Sequence, residues 1–177
     1  MVVKMIQLNE LMKERGKNEL SSLLTRFKCS RNKDTEDFLK NTSVRHDRRD
    51  ISRTYLAIDT DDSEQNILGY FTLALKCLTL NESELSPELI KSMNMKQGVA
   101  QAYLIGQLAR ADDAVPGLGK KMLDEAMNAF SWGKSKFGCR MIRLDCKDEL
   151  IDYYASQGFQ IIGKNYDKDL NQMAIFM

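Results

Sequence analysis

The amino-acid sequence predicts a mixed α/β fold. Short segments rich in apolar, β-branched and aromatic residues, which are typical of strands, alternate with segments of helical periodicity. Their order is a strand, helices, a hairpin, and then strand–helix–strand–helix–strand–strand. Because the 177 residues contain no internal repeat and no dividing linker, we predict a single domain over 1–177.

The first half of the chain holds the less regular elements. In chain order we predict a strand over 4–9, a helical segment over 10–27 interrupted near Gly16, a helix over 33–42, a polar and basic stretch over 45–53, and two strands over 53–58 and 67–80. The acidic turn between the last two strands indicates a hairpin.

The second half of the chain is more strongly patterned. A short helix is expected to begin at Ser86-Pro87, with serine as its cap and proline at its first position. After it we predict a strand over 102–109, a long amphipathic helix over 117–136, a strand over 141–146, a helix over 148–157 that ends at Gly158, and strands over 159–162 and 173–176.

Composition narrows the function classes. The net charge of +1 does not call for a nucleic-acid or membrane partner, and no apolar run reaches the roughly 18 residues of a membrane span. We see no secretion signal, and the four cysteines form no CxxC pair beside the single histidine. We therefore expect reduced cysteines, no zinc site and a cytoplasmic location.

One strand–loop–helix segment has the pattern of an anion site. A strand over 104–110 leads through a loop over 111–116 into the helix that opens with Gly117-Leu-Gly119. The first N–H groups of a helix lack internal partners, the helix dipole is positive there, and glycine lets an anion approach the backbone. Lys120 and Lys121 add positive charge, so the segment suits a pyrophosphate.

This motif alone is not specific. A P-loop would need two glycines with four residues between them, followed by Lys-Ser or Lys-Thr, which the segment lacks. A dinucleotide fingerprint would need a third glycine where Met122 stands. Taken by itself, Pro-Gly-x-Gly is more typical of a turn before an ordinary helix.

A second motif, further along the chain, makes the assignment of the first one more specific. The helix after the 141–146 strand ends in Tyr153-Tyr154-Ala-Ser-Gln-Gly158-Phe159, which resembles the Tyr-x-x-x-Gly-Phe ending of GNAT-superfamily acetyltransferases. Gly117-Leu-Gly119 then resembles the end of their cofactor motif, in the right order and spacing. Segments over 27–38, 52–55 and 69–72 are similar to the GNAT branch that includes toxins of toxin–antitoxin pairs.

The resemblance implies a fold and a cofactor. It implies a twisted mixed sheet of six or seven strands with helices on both faces, in which the 102–109 and 141–146 strands are parallel. It implies acetyl-coenzyme A as cosubstrate, with pantetheine on the edge of the strand that ends at Arg110. The cofactor-binding residues expected on this basis are Leu108, Ala109, Arg110, Val115, Gly117, Leu118, Gly119, Lys120 and Lys121.

The implied chemistry is direct attack of an amine on the acetyl thioester. Tyr154 is the expected proton donor to the departing coenzyme A sulfur, although Tyr153 or a packing role for Tyr154 stays open. His46 and Asp145 are weaker candidates for a general base, and Cys146 is interpreted as a structural thiol.

The function follows from the resemblance with the acceptor left open. We expect an N-acetyltransferase acting on a primary amine of a small molecule, a protein or aminoacyl-tRNA, without a membrane partner and with homodimer formation unresolved. The family's Gln/Arg position is Ala114, and Pro116 precedes the first glycine, without an N–H to offer. These departures leave open the alternative of a coenzyme A-binding or regulatory protein on a GNAT scaffold without turnover.

Overall fold

The computed structural model describes residues 2–82, 85–93, 95 and 97–177. Among them, seven strands form one sheet in the order β1-β2-β3-β4-β5-β7-β6. The strands are β1 Val3–Gln7, β2 Arg53–Asp59, β3 Ile67–Thr79, β4 Val99–Arg110, β5 Met141–Cys146, β6 Gln160–Asn165 and β7 Leu170–Phe176. The helices are α1 Leu8–Glu14, α2 Lys17–Arg26, α3 Lys33–Asn41, α4 Ser43–Arg48, α5 Pro87–Met93, α6 Leu118–Phe137 and α7 Ile151–Ser156.

The predicted fold class is confirmed, including the parallel pair. β4 and β5 run parallel, with Tyr103 opposite Ile142 and Ile105 opposite Leu144, and α6 lies between them in the chain. The pairs β1–β2, β2–β3, β5–β7 and β6–β7 are antiparallel. None of the helices in the described part of the chain is both long and apolar enough to cross a membrane.

Contacts divide the chain into two compact units. The first comprises Met1–Ala74 and Gln107–Met127, and the second comprises Leu75–Gly106 and Asn128–Met177. β3, β4 and α6 therefore each contribute residues to both units.

The first unit packs helices on both faces of its strands. On β3, Tyr70 is fully buried and meets Phe27 edge to face at 5.5 Å between ring centroids, an arrangement that adds about 0.5–1.5 kcal/mol to area burial. Its hydroxyl donates to the Thr35 carbonyl at 2.5 Å. The preceding Gly69 faces α6, where a Cβ would lie 2.9 Å from Met122 Sδ. Only a glycine lets α6 approach this closely.

The second unit has a core on each face of its strands. One core joins α5 to the sheet through Met93, Ala100, Met141 and Ile162. In the other, Tyr103 stacks on Phe130 of α6 at 4.8 Å and donates its hydroxyl to the Gly138 carbonyl at 2.8 Å.

Two predicted elements differ from the structure in kind as well as in bounds. The first strand ends at Gln7, because Leu8 and Leu11 lie one helical turn apart and are both buried. The polar stretch contains α4, whose inward face carries Ser43 and Asp47. A buried face made of polar side chains produces no apolar periodicity, so the pattern missed this helix.

Candidate active site

The loop before α6 is tied to its neighbours within the first unit. Ala111 donates its N–H to the Leu68 carbonyl at 2.8 Å, and the Asp112 N–H donates to the Lys28 carbonyl at 3.0 Å. The Asp112 carboxylate accepts from the Ser30 N–H at 2.9 Å and from its hydroxyl at 2.8 Å. These four bonds hold the loop in one conformation, which a preorganised ligand site requires.

The start of α6 offers unpaired backbone donors. Gly117 has a φ of +84° with nothing within 4 Å of its would-be Cβ, and its carbonyl accepts the Lys121 N–H at 3.2 Å. Within the described residues, the N–H groups of Gly119 and Lys120 have no backbone acceptor. Because Leu118 and Met122 are buried, the helix is anchored while this end stays accessible. The arrangement is a helix N-terminus suited to an anion.

The two lysines of the first turn are exposed, and each contacts another polar group. Lys120 Nζ lies 2.6 Å from Asp124 Oδ1, one turn along the helix. Lys121 Nζ donates to the Val3 carbonyl at 3.3 Å. Exposed pairs of this kind are weak, so either side chain can exchange its partner for a phosphate at low cost.

The pairing of β4 with β5 is short. Among the described residues it covers Tyr103, Leu104 and Ile105, although β5 continues to Cys146 and β4 to Arg110. Near the end of β4, Ala109 is buried and Leu108 and Arg110 are half-buried. The parallel ladder therefore ends before the segment that sequence analysis assigns to pantetheine.

Tyr154 lies in the second unit, on α7. It is 7% exposed, and its ring meets Tyr153 at 5.1 Å and Phe159 at 5.9 Å, both near edge to face. Gly158 has a φ of +91°, and the Phe159 N–H donates to the Tyr154 carbonyl at 3.1 Å, so the glycine turn brings Phe159 back onto the ring. Tyr153 is 37% exposed.

The environment keeps the Tyr154 phenol protonated. Burial, with smaller contributions from Tyr153 and Cys146, raises its pKa well above the ordinary value of 10.0. The hydroxyl makes no hydrogen bond to another described residue. A protonated and uncommitted phenol can donate a proton but cannot act as a base at neutral pH.

The side chains of the other catalytic candidates make packing contacts or hydrogen bonds within the fold. Cys146 is buried against Met173, at 3.5 Å between sulfurs, and burial raises its pKa to about 11, so the thiol stays protonated. Asp145 accepts two hydrogen bonds from Arg143 at 2.9 and 2.8 Å. His46 packs edge to face on Phe38 at 5.3 Å.

The basic stretch has less free charge than its sequence indicates. Arg53 donates to the Asp47 carbonyl at 2.8 Å and pairs with the Asp50 carboxylate, which is the first cause of its raised pKa. Arg45, Arg48 and Arg49 remain exposed. Arg53 is therefore a structural residue.

Sequence reasoning missed a buried acid in the first unit. Glu36 on α3 accepts from Lys33 at 2.8 Å, from Lys40 at 2.6 Å and from the Cys29 N–H at 2.9 Å. Lys33 first, and then Lys40 and the Cys29 N–H, lower its pKa from 4.5 to about 2. Lysines three residues before and four residues after a glutamate on a helix were the available signal.

Comparisons with known proteins agree with this geometry at the level of fold. No protein-family model and no curated protein matches the chain. Among solved structures, similarity runs over nearly the whole length. AtaT in complex with acetyl-methionyl-tRNAfMet has a TM-score of 0.76 at 21% identity, covering 99% of this chain and 95% of that one.

Two further neighbours are similar to the same extent. A KacT variant with one tyrosine replaced by phenylalanine gives 0.76 at 18% identity, with the same two coverages. An AtaT toxin variant with the same kind of replacement, bound to the C-terminus of the antitoxin AtaR and to acetyl-CoA, gives 0.73 at 19% identity, covering 98% and 92%. The chain thus has the fold of AtaT and KacT, and at these identities the likeness establishes the fold alone.

Proposed function

We propose that the chain is an acetyl-coenzyme A-dependent N-acetyltransferase. The observation that carries the proposal is the start of α6, where the N–H groups of Gly119 and Lys120 have no backbone acceptor among the described residues and Gly117 leaves open space. The backbone from Val115 to Lys121 would hold the pyrophosphate, with Leu118 anchoring the turn from below. The acetyl-CoA found with AtaT supports this assignment.

The edge of β4 supplies the second contact in this proposal. Leu108, Ala109 and Arg110 follow the last residue paired with β5, so their backbone on that side is free to bond the amide groups of pantetheine. Backbone pairing of this kind is the bonding used when an extended ligand adds to a strand.

Tyr154 is the proposed proton donor. As the acceptor nitrogen bonds to the acetyl carbon, the carbon–sulfur bond breaks, and the phenol donates its proton to the departing thiolate. The nitrogen releases one proton to the solvent, and the solvent returns a proton to the phenolate. The raised pKa keeps that proton in place at neutral pH until the sulfur becomes basic.

The experiment is Tyr154→Phe, with Tyr153→Phe as the matched control on the same helix. Removing only the hydroxyl keeps the ring contacts, so acetyl-CoA affinity and melting temperature should stay at the parent values. Turnover should fall by roughly a hundredfold, the low end for general acid catalysis, and Tyr153→Phe should matter much less. Parent-level turnover in both variants would remove Tyr154 from the mechanism, and a drop in melting temperature alone would assign it to packing.

The acceptor we propose is the primary amine of an aminoacyl-tRNA, in a cytoplasmic setting. The support is the acetylated methionyl-tRNA bound to AtaT and the exposed Arg45, Arg48 and Arg49. Transfer of labelled acetyl to aminoacylated tRNA, with uncharged tRNA as the control, tests it. We likewise propose that the chain binds an antitoxin and forms a homodimer.

A second candidate function keeps cofactor binding without turnover. Ala114 and Pro116, which depart from the family motif, favour it. Calorimetry with acetyl-CoA and with free coenzyme A tests the shared binding step. A screen of amine acceptors then separates the two functions, since only the enzyme consumes acetyl-CoA.

A further inference from the structure

A small cavity in the second unit is lined by a side-chain amide that makes no hydrogen bond to another described residue. The cavity has a volume of about 200 Å³ and lies where the end of β3 meets the β6–β7 hairpin. Gln172 of β7 lines it and is only 9% exposed. No hydrogen bond joins the Gln172 side-chain amide to another described residue. The amide can therefore offer its N–H donor and its oxygen acceptor to a ligand in the cavity.

The cavity is kept open at one particular residue. Gly163 is the neighbour of Gln172 across the β6–β7 pair. A Cβ at Gly163 would lie 3.0 Å from Gln172 Oε1 and 3.3 Å from Leu80 Cδ2. Any larger residue would press on the amide and narrow the space beside it.

The lining combines apolar, hydrogen-bonding and aromatic groups. Leu80 and Ile162 supply apolar surface, and Thr79 supplies a hydroxyl. Tyr166, in the hairpin turn, also lines the cavity and is 81% exposed, so its ring face is available for stacking. Lys164 lines it too, with its Nζ 2.7 Å from Asp169 Oδ1.

We propose that this cavity binds a single unpaired nucleobase. A primary amide presents a donor and an acceptor side by side, which is the pattern that bonds adenine bidentately. An exposed tyrosine beside it provides the stacking surface by which proteins hold unstacked bases. The volume lies below the usual range for a whole drug-sized ligand, which is consistent with one ring system.

The base can come from a free nucleotide or from single-stranded RNA. Calorimetry would compare AMP with ribose 5-phosphate, which lacks the base, and with purine riboside 5′-phosphate, which lacks the N6 amino donor. Tetra-adenylate RNA separates the sources, because tighter binding than AMP indicates RNA and equal binding indicates a free nucleotide.

The variants are Gln172→Leu and Gly163→Ala, with Gln160→Leu as the control. Gln160 is an exposed glutamine on β6 that does not line the cavity. The Gln172 side chain makes no hydrogen bond to another described residue, so Gln172→Leu should not lower the melting temperature. AMP affinity should drop at least about fivefold in both cavity variants, the lower end for a bidentate base contact, and stay unchanged in the control.

Three results would overturn the proposal. AMP could bind Gln172→Leu as tightly as the parent, or ribose 5-phosphate could bind as tightly as AMP, or neither AMP nor tetra-adenylate could bind at millimolar concentration. Because the assay measures binding and not turnover, its result can be interpreted even if the chain is not an acetyltransferase.

Discussion

The close approach of α6 to β3 predicts that Gly69→Ala will destabilise the protein. The added Cβ would lie 2.9 Å from the Ala109 carbonyl oxygen and 2.9 Å from Met122 Sδ. The Met122 side chain can rotate away, but Ala109 presents backbone of the neighbouring strand, which cannot. Overpacking of this kind costs about 1–3 kcal/mol, which corresponds to a fall in melting temperature of about 2–12 °C for a protein of this size.

The assay is urea denaturation together with acetyl-CoA titration. Gly16→Ala is the matched control, because nothing lies within 4 Å of a Cβ there and its φ of −64° suits alanine. We expect the control to stay within about 1 kcal/mol of the parent. Gly69→Ala should lose stability and also affinity for acetyl-CoA, because Met122 anchors the first turns of α6. Equal stability of the two variants would refute the claim that this contact positions the helix.

Three more predictions concern charge and access. Gly119→Asp should lower acetyl-CoA affinity about tenfold or more in calorimetry, since a carboxylate would face the phosphates; parent-level binding by the folded variant would place the site elsewhere. The Glu36 pKa of about 2 means that its contribution to stability is present above its ordinary pKa of 4.5 and is lost as pH falls toward 2, so the stability gap between the parent and Glu36→Gln should close over that window. At pH 8, iodoacetamide should label exposed Cys77 and spare Cys146 in the folded protein; equal labelling would contradict the burial of the Cys146 thiol.

Sequence patterns predicted the helices and strands whose buried side chains are apolar. The 141–146 strand was placed with the bounds of β5, and α6 was placed within one residue at each end, because their inward residues are almost all aliphatic or aromatic. The same reasoning failed at α4, where Ser43 and Asp47 are the buried residues. It also failed at Leu8. The local sequence there is compatible with a strand or a helix, and long-range packing determines that Leu8 begins α1.

The candidate site divides in the same way. The glycines before α6 and the Tyr-x-x-x-Gly-Phe ending were visible because backbone conformation demands particular residues at those positions. Arg143 and Asp145 lie two residues apart on β5, but the bond between them depends on side-chain rotamers, which no sequence pattern reveals. The position of Gln172 opposite Gly163 depends on the register of the β6–β7 pair, which local sequence does not fix.

The interleaving of the two units has a consequence for synthesis on the ribosome. The first unit needs Gln107–Met127, so it stays incomplete until residue 127 of 177 has emerged. Until then β2 and β3 lack the helix that covers Gly69, and their apolar residues face the solvent or chaperones. The nascent chain therefore passes most of its elongation without either unit finished, and slowing translation near the start of α6 should change the yield of native protein more than slowing it within α2.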